Sequence, residues 1–313
     1  MKSFRLLAVA STALAVSIAV LGSWVRINGA GMTCPDWPLC HGELVPALHG
    51  GVVLEWTHRL IAFIEGLVLL GVIAVGWHVR GRVAGLRAAL WALAGVFVLQ
   101  VLLGGLTVDL SNSPISVMAH WAMAMLLLAT LAALALLAFG GAAPRLPRRA
   151  DPANPLLLIV SVGVFFTMCL GSYVSSSHAG LACATVPVCD GTLLGTTPGQ
   201  IAQMLHRLAA FAVAIGAAIV AFGVGRSAPR ARGFAYLGVG LVALQIGLGM
   251  ANVVWAMPTA LREAHAANAV LTYLAFVMAT VAARMDGVPA AARAYVAERE
   301  ASLRPAAQTV RSS

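Results

Sequence analysis

Histidine and cysteine are the residues of this chain whose types and spacing could do chemistry, and they come in matched sets. His58-Arg59-Leu60 pairs with His206-Arg207-Leu208 at an offset of 148, and Gln100, Gly104 and His120 pair with Gln245, Gly249 and His265 at an offset of 145. Cys34 and Cys40 pair with Cys183 and Cys189 at 149, inside longer matching stretches, Gly22–Gly42 and Gly171–Gly191. A lone membrane histidine usually does no more than pack and hydrogen-bond. Matched pairs in both halves point further, because neutral imidazole is a common metal ligand. Two imidazoles facing each other inside a helical bundle can hold one haem iron from both sides. The matched histidines therefore predict two haem-type sites. His41, His49, His78 and His178 have no matched partners and read as loop or helix-end residues.

The cysteine pairs leave three uses open. A C-x5-C loop is long enough to close on itself as a structural staple, Cys34 with Cys40 and Cys183 with Cys189. A redox role would need an accessible pair with an activated thiolate. A zinc site built from all four is the weakest reading, since neither spacing is C-x2-C. The fifth cysteine, Cys169, falls within an apolar run and reads as a small buried residue.

The elements that must position these residues follow from composition. Of 313 residues, 60% are hydrophobic and 10% charged, where a soluble domain carries about 25% charged residues. That excludes an ordinary soluble enzyme, a disordered chain and a collagenous or disulfide-scaffold class. Eight runs are long enough to cross a bilayer as helices, at roughly 6–25, 56–77, 88–108, 115–139, 155–174, 203–225, 233–255 and 264–283. Barrel strands need only about 9–11 alternating residues, so helices are the reading. The net charge of +9 reports topology, not nucleic-acid binding. Sixteen of the twenty Lys and Arg, among them Lys2, Arg5, Arg80, Arg82, Arg87, Arg145, Arg148, Arg149, Arg226, Arg230, Arg232, Arg284, Arg293, Arg299, Arg304 and Arg311, fall on one side. The positive-inside rule makes that side cytoplasmic, with both termini on it and the cysteine loops outside. Lys2 and Arg5 before an apolar run would also fit a signal peptide, but the fifth span reproduces the first and cannot be one.

The expected fold is thus all-α and polytopic: eight transmembrane helices as two tandem, pseudo-symmetric four-helix bundles. They would comprise residues 1–139 and 155–284, a cytoplasmic linker at 140–154 and a polar cytoplasmic tail at 285–313. Four spans per unit keep the copies parallel. The four histidines should share one depth near the outer ends of the second, fourth, sixth and eighth spans. The stretches Gly104-Gly105 and Gly247-x-Gly249 would admit close helix approach or a flat ring. Where the copies differ, chemistry is expected. Glu55, three residues before His58 and so on the same helix face, is answered by Gln203. Glu65 is answered by Val213; it is a functional candidate or the partner of another polar group.

The Glu55-x-x-His58-Arg59 motif, His120, the His206-Arg207 copy, His265 and the Cys34/Cys40 loop together resemble haem A synthase, an eight-span assembly enzyme of cytochrome oxidase. The resemblance covers roughly residues 6–283. It implies a haem-dependent membrane oxidoreductase that converts the C8 methyl of haem O to the formyl of haem A by two hydroxylations, the second giving a geminal diol that loses water. It also implies that His206 and His265 ligate a haem b cofactor and that His58 and His120 flank haem O. Glu55 would be catalytic and Cys34/Cys40 the redox-sensitive pair; Cys183/Cys189 occurs in only some members. Haem O synthase and cytochrome oxidase assembly factors would be partners in a bacterial plasma membrane, and a homo-oligomer is compatible. Arg26, Arg59, Arg207 and Arg262, the only basic residues outside the cytoplasmic set, lie near the expected haem depth and could bind propionates, although interfacial anchoring explains them as well. A di-haem electron carrier or quinone reductase, a periplasm-facing thiol oxidoreductase and a haem transporter are the competing classes. The one-sided acid disfavours the first, and the matched histidines leave the second short of an explanation.

Overall fold

A computed structural model describes residues 1–83, 85–140 and 153–286. Eight long helices follow one another: α1 (Lys2–Ile27), α2 (Gly50–Val79), α3 (Leu86–Asp109), α4 (Pro114–Gly140), α5 (Ala153–Ser176), α6 (Pro198–Ser227), α7 (Pro229–Val254) and α8 (Thr259–Asp286). All eight are long and apolar enough to span a membrane, and the chain is a multi-pass membrane protein. Among the described residues extended structure is confined to two isolated bridges, Cys40–Glu43 and Cys189–Thr192, one in each cysteine loop. The expected linker (with Arg145, Arg148 and Arg149) and tail (with Arg293, Arg299, Arg304 and Arg311) lie outside the described residues, apart from their helical ends.

The helices outrun the apolar windows. α2 starts at Gly50 and not near 56, and α6 at Pro198 and not near 203. Hydropathy marks the stretch suited to hydrocarbon, whereas a helix continues as long as its amides find partners in water or in a loop. Proline at the first helical position of α4, α6 and α7 sets φ there without losing an intrahelical bond. As a result His58 and His206 lie about 12 Å along their helices, in the third turn and not among the first few residues. The helices carrying His120 and His265 are entered by one repeated turn. Asn112 N donates to Thr107 O and Met257 N to Asn252 O, both at 2.7 Å. Each turn holds two non-glycine residues at positive φ, Ser111 and Asn112 in one and Ala256 and Met257 in the other. Such a backbone is tolerated only where its surroundings hold it.

α1 packs on α2 and α4, and α5 on α6 and α8; α3 packs on α4, and α7 on α8. Across the middle, α4 meets α5 and α8, and α1 meets α8. α8 is the most enclosed span. Its Val270, Phe276 and Ala279 are fully buried in a core shared with Leu128, Leu157 and Ala231. A second core gathers Phe4, Leu69, Leu90, Leu93 and Leu131. Large apolar side chains such as Phe63, Trp91, Ile215 and Phe222 face outward, which suits lipid as solvent.

Candidate functional site

Each of the four matched histidines rests its ring against a glycine of a neighbouring helix. A Cβ added at Gly22 would come within 2.9 Å of His58 Cε1, and one at Gly171 within 2.9 Å of His206 Cε1. The same holds for Gly104 against His120 at 3.2 Å and Gly249 against His265 at 3.3 Å. The seats repeat as the histidines do: Gly22 and Gly171 stand 149 apart, the offset of the cysteine loops, against 148 for His58 and His206, and Gly104 and Gly249 share the 145 of His120 and His265. Gly105 instead makes room for the Trp37 ring, and a Cβ added at Gly247 would meet open space. Only one glycine of each expected stretch serves a histidine.

His206 shows the clearest ligand-like geometry. Its Nδ1 bonds the Thr167 carbonyl at 3.0 Å. In the tautomer that donates this bond, Nε2 is left free as a metal ligand and the ring is fixed. The His206 and His265 ring centres lie 6.4 Å apart with planes at 74°. Two imidazole nitrogens each about 2 Å from a metal and about 1 Å from their ring centres would place those centres about 6 Å apart. The ring separation therefore fits one iron that both imidazoles would hold. Nδ1 of His58, His120 and His265 is buried without a protein partner. The matched glutamines diverge: Gln100 Nε2 approaches His120 Nε2 at 3.4 Å, whereas Gln245 donates to the His265 carbonyl at 3.0 Å. Asn268, which sequence spacing did not single out, orients Gln245 by donating to its Oε1 at 2.7 Å.

Above the histidines, both cysteine pairs are disulfides, Cys34–Cys40 and Cys183–Cys189. The sulfurs are thereby committed, and no cluster of three or more metal-binding side chains occurs among the described residues, so a zinc site lacks donors. Glu55 ties the first loop to α2. Its Oε2 accepts from Thr33 Oγ1 and Cys34 N, both at 2.9 Å, and its Oε1 from Arg59 Nη2 at 2.7 Å. Arg59 also donates to the carbonyls of Asp36, Leu39 and Cys34 at 2.6, 2.5 and 3.0 Å. The second half builds the same clamp without the carboxylate: Gln203 Oε1 accepts from Cys183 N at 2.7 Å, and Arg207 donates to the Thr185 and Cys183 carbonyls at 2.6 and 3.1 Å. The helix face shared with His58 thus holds for the backbone of Glu55, while its carboxylate is engaged by the loop. Arg59 and Arg207 spend their guanidinium groups on loop carbonyls. The spacing of motifs could place these residues but not aim them.

Arg26 and Arg262 occupy the seam between α1, α5 and α8. Arg26 Nη1 donates to Ser175 Oγ at 2.6 Å. Arg262 Nη1 reaches the Ile27 carbonyl at 3.5 Å and its Nε is buried without a hydrogen-bond partner, while the Glu263 carboxylate lies near Ser23 and the Arg26 charge. Arg26 is one turn from Gly22 on α1, and Arg262 one turn from His265 on α8, so the two charges stand between the histidine pairs. His41, His49, His78 and His178 are exposed, the first and last in loops and the others at the ends of α2. Cys169 is the single free cysteine and is half-buried.

Two expectations concern the loops. Peptide mapping by mass spectrometry without reductant should recover Cys34 linked to Cys40 and Cys183 to Cys189; a cross-link between halves or free thiols would contradict the structure. Asp36 accepts amide bonds from Gly42 at 2.8 Å and His41 at 2.6 Å. The Gly42 bond is the main cause, with His41 and the Arg59 charge adding to it, that holds its carboxyl below the usual carboxylate range. A depressed acid stabilises the fold above its unfolded pKa and loses that contribution as pH falls through the folded one. The protection of the His41 and Gly42 amides, taken relative to intrinsic exchange at each pH, should therefore fall once acidification protonates Asp36. Unchanged protection below that point would remove Asp36 as the loop's anchor.

The family description "Cytochrome oxidase assembly protein" (COX15-CtaA) matches residues 5–277. Heme A synthase of Symbiobacterium thermophilum is 32% identical over 223 residues, 67% of this chain and 72% of the relative. Heme A synthase of Bacillus licheniformis is 26% identical over 275 residues, 85% of this chain and 91% of the relative. That of Shewanella oneidensis is 27% identical over 307 residues, covering 83% and 90%. Over nearly its whole helical length, then, the chain belongs to the COX15-CtaA family of cytochrome oxidase assembly proteins.

Proposed function

We propose that this protein is a haem A synthase, oxidising the C8 methyl of haem O to the formyl of haem A in two tandem four-helix units. The observation that carries the reading is the pair of glycine-seated histidine sets at matched positions, one of them spaced for an iron. In this reading α5–α8 hold haem b between His206 and His265, and α1–α4 hold the substrate haem O between His58 and His120. Bound haem b would supply one-electron redox chemistry. The protein's own residues do the rest. Thr167 fixes the His206 ring, and Gly22, Gly104, Gly171 and Gly249 let the four imidazoles sit deep against the neighbouring helices. Glu55 is the acid–base group of the substrate half, positioned by Thr33, Cys34 and Arg59, so that the disulfide loop sets where its carboxylate lies. Arg26 and Arg262 bring positive charge to the seam, where propionate carboxylates of either haem would be neutralised. The basic loops face the cytoplasm and the cysteine loops face outward.

Pigment extraction tests the reading. Protein purified from cells supplying haem O should yield protohaem together with haem O or haem A, and conversion should appear by chromatography. Protohaem in both halves, with no haem A formed from supplied haem O, would instead favour a di-haem electron carrier.

A further inference from the structure

The halves differ at one buried pair that the proposed mechanism leaves unused. Glu65 in α2, 4% exposed, accepts from Ser11 Oγ in α1 at 2.5 Å, and Ser11 is fully buried. The second carboxyl oxygen, Oε2, is buried with no partner. At the offsets that relate the halves, Ser11 is answered by Val160 and Glu65 by Val213. Both valines pack as apolar residues between α5 and α6, Val213 Cγ2 lying 3.2 Å from a Cβ built at Gly163 and Val160 Cγ2 3.0 Å from one built at Gly216. One half thus carries a polar pair where the other carries an apolar pair, at the same place between corresponding helices. A carboxyl group in a membrane with an unpaired oxygen is costly. A single hydroxyl partner satisfies only part of it. The position lies seven residues beyond His58, about 10 Å further along the same face of α2 and away from the cysteine loops.

We propose that Ser11 and Glu65 form the subsite that recognises the side-chain hydroxyl of haem O. The inference rests on assigning α1–α4 to the substrate. Haem O differs from protohaem where a vinyl group is replaced by a hydroxyethyl group bearing a farnesyl chain. A haem gripped at its iron by His58 and His120, with propionates toward the arginine-bearing end, hangs its apolar rim deeper into the membrane. The hydroxyl is then the one polar atom on that rim, and the free oxygen of Glu65 accepts its hydrogen bond. In the other half Val160 and Val213 present an apolar wall suited to the vinyl of protohaem. A site built to hydrogen-bond a hydroxyl rejects an analogue lacking it, because the buried polar group is left unpaired.

The test uses full-length protein purified from cells without haem O, titrated with haem O and, separately, with protohaem. Ser11→Val combined with Glu65→Val reproduces the pair of the other half. It should weaken haem O binding roughly tenfold, the effect of one buried hydrogen bond, without weakening protohaem binding at the same site. Glu65→Gln should keep most of the haem O affinity, since an amide oxygen accepts the same bond. A retained haem b spectrum from the His206/His265 half shows that the variants fold. Equal loss of both haems would overturn the proposal in favour of a packing role. Full haem O binding with lost conversion would overturn it in favour of proton transfer. The substrate-half assignment fails by a separate sign: haem O binding untouched by His58→Ala and His120→Ala.

Discussion

Replacing His206 or His265 by alanine is expected to abolish the low-spin haem b spectrum and to lower haem content on the order of tenfold or more. Removing even an outer partner of a metal ligand costs about 10–100-fold in affinity, and in the proposed reading these variants remove a ligand itself. Either variant would leave one imidazole to hold the haem where two ring centres now stand 6.4 Å apart. A graded variant separates ligation from folding. Gly171→Ala keeps both histidines but would put a methyl group 2.9 Å from His206 Cε1, a distance that forces the ring to move. It should shift the spectrum and loosen the haem without emptying the site, while His41→Ala, at an exposed loop residue, should do neither. Optical spectra and pyridine haemochrome assays of purified variants provide the measurement. A wild-type spectrum and haem content in either axial variant would refute ligation in that half.

Glu55→Gln is expected to stop haem A formation while leaving haem b in place. Gln203 shows what the amide can still do at this position, because it already accepts from the Cys183 amide as Glu55 accepts from Cys34. The substituted side chain would lose its charge opposite Arg59, which is 15% exposed and keeps its bonds to the Asp36, Leu39 and Cys34 carbonyls. A hydrogen bond to a charged group is worth about 1.5–3 kcal/mol, and the carbonyls that still accept from Arg59 keep its charge from being left unpaired. Loss of a positioned acid–base group lowers a rate by about 10²–10⁴-fold. Partial blockage should accumulate the singly hydroxylated haem. The reciprocal Gln203→Glu should create no second reaction site, and it would set a carboxylate oxygen near the Gly180 carbonyl that Gln203 Nε2 now donates to at 2.8 Å. Haem extraction and chromatography from cells supplying haem O decide the matter. A normal haem A yield from Glu55→Gln would leave Glu55 with only its loop-holding role.

The periodicity of apolar residues was enough to find eight helices, because a membrane span is a long and simple signal. The repeat offsets were enough to pair the histidines, and the 149 of the cysteine loops carries Gly22 onto Gly171, the seats that helix packing turns out to need. Side-chain direction was not legible in this way. Residues three apart share a face, yet Glu55 turns to the loop because Thr33 and Cys34 donate to it there and Arg59, one turn on in α2, holds its other oxygen. Arg59 and Arg207 could be placed at the right depth by counting, but only a folded loop supplies the carbonyls that capture them. Helix starts were missed by five or six residues at α2 and α6, since hydropathy is blind to turns that continue into water. The Ser11–Glu65 bond joins residues 54 apart that no local pattern connects.

The contact between Arg26 and Ser175 also bears on how such a chain could have arisen. The two residues are 149 positions apart and are each other's counterparts in the repeat. A residue meets its own counterpart only where a two-fold relation passes through the contact, as in the self-facing patch of a symmetric dimer. In an ancestor made of two identical four-helix chains, an arginine at this position would have confronted an identical arginine, two like charges in a medium that screens poorly. Duplication and fusion into one chain removes that constraint. Each copy can then mutate alone, and one guanidinium can be retained against a hydroxyl. An asymmetric charge on the axis is an arrangement open to a fused chain and closed to a homodimer, and the division of labour proposed above, substrate in one half and cofactor in the other, would draw on the same freedom.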